Sequence, residues 1–282
     1  MNRFLYSILV SVLSLYIQAY ENVPSFVLLV TSYNNEKYVE RNLRSLLYQR
    51  SSTPYKIIYV NDCSTDNTGK LVDEFVARHS LSPDFIEVLH NEKRVGAALE
   101  NIYNVVHSRI ADDEIVVSID GDDMLAHKGV LQRLEKAYAN PEIWMTFGRF
   151  VVIPSGEFWM QCSSYPPEVI YSRTFRQSPN VPSHLKTFKA GLFKKIKKED
   201  LCGPDGSFFT KAGDMAFMFP MLEMCAPSSD VACNHSAFIE DTVLYMYNAD
   251  TGLNDHYIGR EEQIKLDLFI RSKKTYKPLN SL

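Results

Sequence analysis

The chain has 282 residues, of which 45% are hydrophobic and 23% are charged, so it is long and apolar enough to bury a substantial core. Its formal net charge of −4 excludes the overall basic surface of a general nucleic-acid binder, and no nucleic-acid partner is expected. A negatively charged ligand would need a local basic patch or a metal ion.

The N-terminal segment differs in composition from the rest of the chain. It has a positive charge at Arg3, an apolar stretch at residues 4–17, and the small residue Ala19. This order is typical of a secretory signal sequence, and the apolar stretch is short for a membrane span. We expect residues 1–20 to be a signal peptide or a signal-anchor, and the chain to be exported, lumenal or membrane-associated. A buried first strand or helix is the alternative.

Apolar runs alternate with helix-periodic segments through the first half of the chain. Strands are predicted at residues 26–30, 55–60, 85–91 and 114–119, and helices around residues 39–47, 71–76, 98–106 and 130–138. Such alternation implies an α/β fold with a mostly parallel sheet and right-handed crossovers.

The second half is less regular. The run WMTFGRFVVI, at residues 144–153, predicts a further strand. Residues 154–183 hold five prolines and predict a long irregular insertion of the kind that often covers a site. Apolar spacing predicts a short helix at residues 185–196, and the stretch 211–225 predicts another helix, interrupted at Pro220.

Three polar clusters, TSYN, NDCSTD and DGDD, each follow a predicted strand directly. The carboxyl ends of parallel strands share one edge of a sheet, and ligands bind beyond that edge. We therefore expect the three clusters to converge there.

The cluster DGDD places Asp120, Gly121, Asp122 and Asp123 where a buried strand ends. Like charges this close repel, so either water on an open turn or a cation must compensate them. Two aspartates separated by one residue can point into one site, and the glycine lets the backbone pass closely. Magnesium or manganese takes one or two carboxylates and shares the rest of its shell with water and phosphates. A metal site and a solvated acidic turn both remain open.

Other candidate side chains follow the first and second strands. The Asp62 carboxylate can accept hydrogen bonds from the ring or ribose of a ligand, or build a turn with Asp66 that caps the next helix. For Asp66, the turn is the preferred interpretation. Thr31 and Tyr33 follow the first strand, where Tyr33 can stack on a base or pack against the sheet edge.

The segments VTSYNNEKYVERNLRSLLYQ, IIYVNDCSTDNT, NEKRVGAALENIYNVV and VVSIDGDDML, in this order, resemble family 2 of the glycosyltransferases. The resemblance covers residues 26 to about 150 and implies the GT-A fold, a Rossmann-like, mostly parallel sheet flanked by helices. It implies transfer of a sugar from a nucleoside-diphosphate sugar, first of all a UDP-sugar, to a saccharide, lipid or protein acceptor.

The resemblance also implies roles for individual residues. Those expected to contact the nucleotide sugar are Thr31, Tyr33, Asp62, Arg94, Gly96, Asp120 and Asp122. Of these, Asp122 and Asp120 are the expected ligands of Mn²⁺ or Mg²⁺, and His256 or His235 is a candidate to complete the metal shell. Each histidine has a surface or hydrogen-bonding role as its alternative, and Arg94 and Gly96 can equally form an ordinary turn and helix start.

Members of the family usually carry Glu-Asp at a helix start on the acceptor side, whereas this chain has Gly213-Asp214. The resemblance implies that Asp214 is the general base of an inverting transfer; its alternative is an N-terminal helix cap. His184 is expected near the acceptor, and its alternative is a helix-start position.

A non-catalytic binding module is one alternative function, because Gly213 stands where the family usually has Glu. A sugar-1-phosphate nucleotidyltransferase is the other alternative, although TSYNNEKY lacks the expected Gly- and Arg-rich loop.

The expected domain division follows from these assignments. Residues 24–255 form the GT-A domain, with a nucleotide-binding half at 24–150 and an acceptor half at 151–255. Residues 256–282 form a charged C-terminal tail.

Overall fold

The computed structural model describes residues 24–158, 162–229, 232–250 and 260–282. The expected signal segment at residues 1–20 lies outside these ranges and stays a prediction. Within the described ranges, no helix combines the length and the apolar character that crossing a membrane requires.

One sheet of nine strands runs through the described part of the chain. The strands are β1 (Phe26–Ser32), β2 (Tyr55–Asn61), β3 (Ile86–His90), β4 (Ile115–Asp120), β5 (Met124–Leu125), β6 (Met145–Ile153), β7 (Glu157–Phe158), β8 (Ser183–Lys189) and β9 (Ser236–Asn248). Their order across the sheet is β3-β2-β1-β4-β8-β6-β9-β5, and β7 pairs with β6. Strands β1 to β4 are mutually parallel, as is the long pair β6 and β9, whereas β8 runs antiparallel to β4 and β6.

Helices cover both faces of this sheet. They are α1 (Val39–Leu47), α2 (Thr68–Arg78), α3 (Ala98–Arg109), α4 (Val130–Tyr138), α5 (Pro167–Ser172), α6 (Ala190–Lys194), α7 (Gly213–Cys225) and α8 (Arg260–Ser272). Short 3-10 helices lie at Phe175–Gln177 and Lys198–Leu201. The predicted alternation of strands and helices up to residue 138 is confirmed.

The apolar runs of the central strands are continuous because both faces of the sheet are covered. In β1, Phe26 and Leu28 point into a core cluster with α1, α2 and α4, while Val27 and Leu29 point into the opposite cluster with α3 and α7. All four side chains are buried. The packing on both faces therefore fixes the position of the C-terminal end of β1.

The helix predicted at residues 185–196 is wrong in its first half, because residues 183–189 form strand β8 and the helix α6 begins only at Ala190. Strand β8 lies between β4 and β6, so its backbone groups bond on both sides. Its side chains alternate: Leu185 packs in one core cluster and Phe188 in the other. Tertiary pairing thus overrides a spacing that also fits a helix.

The predicted interruption at Pro220 is also wrong, since α7 continues through this residue. Every residue from Met215 to Cys225 is buried, so packing on all sides compensates the hydrogen bond that proline cannot donate. The region predicted as an irregular insertion contains β7, α5 and a 3-10 helix. Strands β5 and β9 were not predicted.

The C-terminal segment carries helix α8, whose Ile270 is buried in the core. The segment continues to residue 279, where the Leu279 N–H donates to the Met224 carbonyl at 3.0 Å. The described part of the expected tail thus packs against α7.

Candidate active site

The ends of β1, β2 and β4 meet at one edge of the sheet, as the three polar clusters predicted. Thr31 of β1 is paired with Asp120 of β4, and Ser32 with Asn61 of β2. The Asp62 N–H donates to the Ser32 carbonyl at 2.8 Å, and the Gly121 N–H donates to the Thr31 carbonyl at 2.9 Å. The polar clusters are therefore joined by main-chain hydrogen bonds.

The acidic turn, residues 120–123, is held by α1 and β9. The Asn42 amide donates to the carbonyls of Asp120 and Asp123, at 3.1 and 2.9 Å, and the Arg41 guanidinium donates to the Asp122 carbonyl at 2.8 Å. The Asp123 carboxylate is fully buried and accepts from the Asn248 N–H at 2.7 Å. Asp123 thus has a structural role, whereas Asp120 and Asp122 face a cleft.

Gly121 gives the acidic turn its close approach to β1. A Cβ atom at this position would lie 2.4 Å from Ser32 Oγ and 2.7 Å from Asn35 Nδ2. Because real Cβ contacts are not that short, any side chain at 121 would push the turn away from β1. The expectation that the glycine lets the backbone pass closely is met by this geometry.

The acidic turn concentrates negative charge in a poorly solvated place. Burial, and after it the neighbouring charge of Asp120, raise the pKa of Asp122 to about 7. Burial also raises the pKa of Asp120, while the Lys186 ammonium acts to lower it. Such an arrangement of oxygen atoms suits a hard cation.

The predicted ligand set was Asp120, Asp122 and one histidine. Within the described ranges, no group of three or more His, Cys, Asp and Glu side chains is placed to hold a metal ion. Two carboxylates fit Mg²⁺ or Mn²⁺ nevertheless, because these ions complete their shells with water and phosphate oxygens. His256 lies outside the described residues, and its role stays a prediction.

His235 is not at this edge of the sheet. Its ring stacks on Trp144 at 3.6 Å, and its Nδ1 donates to the Glu142 carbonyl at 2.7 Å. Trp144 and Glu142 lie just before β6. The first residue of β6, Met145, is paired with Phe188 of β8, and Phe188 is paired with the start of β4. Because Asp120 ends β4, the candidate role of His235 as a metal ligand is wrong.

A cleft of about 320 Å³, called here the first cleft, opens at the edge formed by β1, β2 and β4. The residues predicted to contact a nucleotide sugar all line it: Thr31, Tyr33, Asp62, Arg94, Gly96, Asp120 and Asp122. The Arg94 guanidinium lies over the Tyr33 ring, 3.7 Å from its centroid, as in a cation–π contact. Sequence reasoning missed Asn35 and Asn101, which also line this cleft.

Asp62 shapes the loop that closes the first cleft. Its Oδ1 accepts from Asn91 Nδ2 and from the Val95 N–H, each at 2.8 Å, and its Oδ2 accepts from the Gly96 N–H at 2.9 Å. Burial acts to raise the pKa of Asp62, but these hydrogen bonds outweigh it and lower the pKa. Since each carboxylate oxygen has two lone pairs, Oδ2 keeps one for a ligand.

The preferred turn interpretation of Asp66 agrees with the structure. Asp66 Oδ1 accepts from the Thr68 N–H at 2.9 Å, and Asp66 Oδ2 accepts from the Glu36 N–H at 3.1 Å. Asp66 therefore joins the starts of α1 and α2, and the capping alternative for Asp62 is wrong.

A second cleft, of about 250 Å³, adjoins the first and shares with it Ala98, Asp120 and Thr210. Asp214 lines the second cleft as the second residue of α7, and its side chain is 42% exposed. Its Oδ1 accepts from the Met215 N–H at 2.9 Å. Residue Ala212, in a left-handed conformation, occupies the N-cap position, so Asp214 is not the cap.

Two further polar side chains of the second cleft come from β8. His184, expected near the acceptor, lines the cleft and stacks on Tyr245 at 4.5 Å, and burial lowers its pKa well below 6.5. Lys186 is only 7% exposed, and its Nζ lies 3.5 Å from Asp214 Oδ2 and 3.5 Å from His184 Nε2. Lys186 is not among the predicted site residues, and its position between Leu185 and Phe188 is the one signal that the sequence offers for it.

The family model described as "Glycosyl transferase family 2" matches residues 27–201, more than half of the chain. The glycosyltransferase GlyG of Streptococcus pneumoniae serotype 4 is 31% identical over 176 residues, which cover 60% of this chain and 56% of that protein. The chain spans between 14% and 56% of the length of the first curated relatives.

Solved structures resemble the chain over most of its length. S. aureus TarS 1-349 in complex with UDP-GlcNAc has a TM-score of 0.58 and 17% identity, and the match covers 87% of this chain and 65% of that one. The Pyrobaculum calidifontis mannosyltransferase PcManGT, in complex with GDP-Man and Mn²⁺, has a TM-score of 0.57 and 18% identity, with 94% and 73% covered. These likenesses confirm the predicted fold class, the GT-A fold.

Proposed function

Because the chain belongs to glycosyl transferase family 2, we propose that it transfers a sugar from a nucleoside-diphosphate sugar to an acceptor hydroxyl. The observation that supports this most is the junction of the two clefts at Asp120. The first cleft has the residues for a nucleotide, and the second has a half-exposed carboxylate, Asp214. A sugar held at the junction would have the leaving diphosphate on one side and the acceptor on the other.

The donor occupies the first cleft in this proposal. Tyr33, stacked with Arg94, presents a flat surface for the base, and Asp62 offers its remaining lone pair to a ring or ribose N–H or O–H. Asp120 and Asp122 would hold a divalent cation, which when bound neutralises the charge that develops on the diphosphate. TarS and PcManGT were solved with UDP-GlcNAc and with GDP-Man and Mn²⁺, respectively, which supports a nucleotide-sugar donor. We propose a UDP-sugar.

The acceptor enters the second cleft. Asp214 removes the proton from its hydroxyl, and the oxygen attacks the anomeric carbon. The bond from that carbon to the diphosphate oxygen breaks, and its electron pair leaves with the nucleoside diphosphate. One displacement from the side opposite the leaving group inverts the anomeric configuration. The acceptor is a hydroxyl of a saccharide, lipid or protein.

Replacement of Asp214 by Asn tests the proposed base. We expect transfer to fall by about 100- to 10,000-fold, the usual share of general-base catalysis, because an amide cannot accept the proton. Binding of UDP with Mn²⁺, measured by calorimetry, should stay near normal since the first cleft is intact. Asp205→Asn, an exposed aspartate on the turn before α7, is the matched control and should keep full transfer.

A screen of nucleotide sugars, followed by product analysis, separates this proposal from its alternatives. Release of nucleoside diphosphate supports it, and near-normal transfer by Asp214→Asn would leave the base unassigned. A parallel assay supplies a nucleoside triphosphate and a sugar 1-phosphate, and release of pyrophosphate from these would instead indicate a sugar-1-phosphate nucleotidyltransferase. Binding of a donor without any turnover would indicate a non-catalytic module.

A further inference from the structure

Lys186 carries a positive charge into the interior of the acceptor side. It lies on β8, paired with Ser118 of β4, and its side chain lines the second cleft although it is only 7% exposed. A buried ammonium is costly unless its three N–H donors find acceptors. Such a position is unlike the snorkelling surface position that is common for lysine.

The groups around Lys186 come from three elements. The carboxylate of Asp214 approaches from the start of α7, and its Oδ2 lies 3.5 Å from Lys186 Nζ. The charge of Asp120, at the end of β4, also interacts with the Lys186 ammonium. His184, on β8 itself, presents Nε2 at 3.5 Å. The His184 ring is fixed by its stack on Tyr245 and is neutral, since burial lowers its pKa, so it can accept from the ammonium.

Asp214 needs a second contact to keep one orientation. Its Oδ1 bonds to the N–H of the next residue, Met215, which fixes one oxygen within its own helix. Its other oxygen, Oδ2, faces Lys186. Because the Asp214 side chain is 42% exposed, loss of the ammonium would leave it free to rotate towards solvent.

We propose that Lys186 is a positioning residue, whose ammonium holds the Asp214 carboxylate at the side of the second cleft that faces Asp120. This inference rests on the proposed function, because it takes Asp214 to be the base that meets the acceptor hydroxyl. Lys186 thus acts on the reaction through the geometry of Asp214. A displacement of about 1 Å in such a group can cost about 100-fold in rate.

Lys186→Met removes the charge and keeps the length of the side chain, and Lys186→Arg keeps the charge. We expect Lys186→Met to lower kcat for transfer by about 100-fold while the Kd of UDP with Mn²⁺ changes less than about threefold. Lys186→Arg should recover at least about a tenth of wild-type kcat. Lys189→Met is the matched control, because Lys189 lies on the same strand and donates to the Pro141 carbonyl at its other end.

A double variant tests whether Lys186 acts through Asp214. If it does, Lys186→Met adds no further loss in an Asp214→Asn background, since the two changes disable one carboxylate. A loss that multiplies in the double variant would overturn the proposal, because Lys186 would then act on the reaction by a route other than Asp214, such as its charge beside Asp120. Unchanged kcat in Lys186→Met would overturn it too. If that variant does not fold, Lys186→Gln takes its place in the same comparison.

A crystal structure of Lys186→Met gives a readout that does not depend on turnover. We expect the Asp214 carboxylate to rotate out of the cleft while α7 stays in place, and an unmoved carboxylate would overturn the proposal. If the wild-type protein releases no nucleoside diphosphate from any donor, the proposed function fails, and this structural comparison still decides whether Lys186 positions Asp214.

Discussion

Gly121 is the residue on which the geometry of the acidic turn depends most directly. We expect Gly121→Ala to destabilise the protein by about 1 to 3 kcal/mol, because overpacking forces nearby groups to shift. The shift also moves Asp120 and Asp122, so Mn²⁺-dependent UDP binding should weaken at least about tenfold. Urea unfolding and calorimetry measure the two effects.

Gly148→Ala is the matched control for Gly121→Ala. A Cβ atom at residue 148 of β6 meets its nearest neighbour, the Ile239 carbonyl, at 3.5 Å, which is an ordinary contact. The control should change the free energy of unfolding by less than about 1 kcal/mol and leave UDP binding unchanged. Equal effects of the two substitutions would show that close approach at Gly121 is not what fixes the turn.

At this scale, sequence patterns identify the first cleft better than the second. The residues of the first cleft stand directly after strands, and parallel strands bring such positions together, so Thr31, Asp62 and Asp120 could be grouped in advance. Lys186 reaches the second cleft through the antiparallel pairing of β8 with β4, between segments that are distant in the chain. No local pattern encodes that pairing.

Gly213 stands at the position where members of the family usually have Glu. A Cβ atom at this position would lie 3.2 Å from Leu99 Cβ, so α7 packs tightly against α3 there.

Among the elements, the contact of α7 with the C-terminal segment is held by a buried ion pair. The Arg176 guanidinium donates to both oxygens of Glu223, at 2.5 and 3.0 Å, and to the Ile270 carbonyl at 2.6 Å. The two side chains are 3% and 0% exposed. The Tyr276 N–H also donates to Glu223, at 2.9 Å, so the pair joins a 3-10 helix, α7, α8 and the residues after it.

We expect Arg176→Met to destabilise the protein by about 3 to 5 kcal/mol in urea unfolding, because it leaves the Glu223 charge buried without its partner. Adding Glu223→Leu should recover much of this loss, since the double variant buries no charge. Arg44→Met is the control: its pair with Glu40 is exposed, and surface pairs contribute about 1 kcal/mol or less. A loss below 1 kcal/mol for Arg176→Met would contradict the assignment.

Among the elements too, local sequence patterns predict the central strands better than the strands that depend on long-range pairing. Strands β1 to β4 could be predicted because their apolar runs are continuous and end in turn formers. A helix is predicted where β8 forms, because Leu185, Phe188, Leu192 and Ile196 also fit a helical spacing. Strand β9 has mixed polar and apolar residues, and it is a strand because β6 and β5 pair with it. The Asn248 N–H of β9 donates to Asp123 in the acidic turn, and no local sequence pattern predicts this contact.

For the whole molecule, the expected halves share one sheet. Strands β1 to β4 form the first cleft, while β8 and α7 supply Lys186 and Asp214 to the second. Strand β8 lies directly beside β4, so the sheet continues across the expected boundary at residue 150. A ligand that bridges the clefts therefore contacts both halves and should stabilise the chain as one unit.

Thermal unfolding with UDP and Mn²⁺ tests the proposed metal site of the first cleft. At a concentration of 100 times Kd, a ligand that binds only the folded state stabilises it by about 2.7 kcal/mol. For a protein of 282 residues, UDP with Mn²⁺ should then raise Tm by roughly 4 to 6 °C. With a chelator in place of Mn²⁺ the shift should be much smaller, because the repulsion between the diphosphate and Asp120 and Asp122 is no longer compensated.

Asp122→Asn separates a metal effect at the acidic turn from a general effect of Mn²⁺ on the protein. The amide keeps the size of the side chain but not its charge, so the Mn²⁺-dependent part of the Tm shift should be lost while the variant stays folded. Asp241→Asn, an exposed position that pairs with Arg133 on the surface, should respond to UDP and Mn²⁺ like the wild type. If Asp122→Asn kept the whole Mn²⁺-dependent Tm shift, the cation would have to bind elsewhere. If UDP shifted the Tm of the wild type equally with Mn²⁺ and with chelator, UDP binding would not depend on the cation.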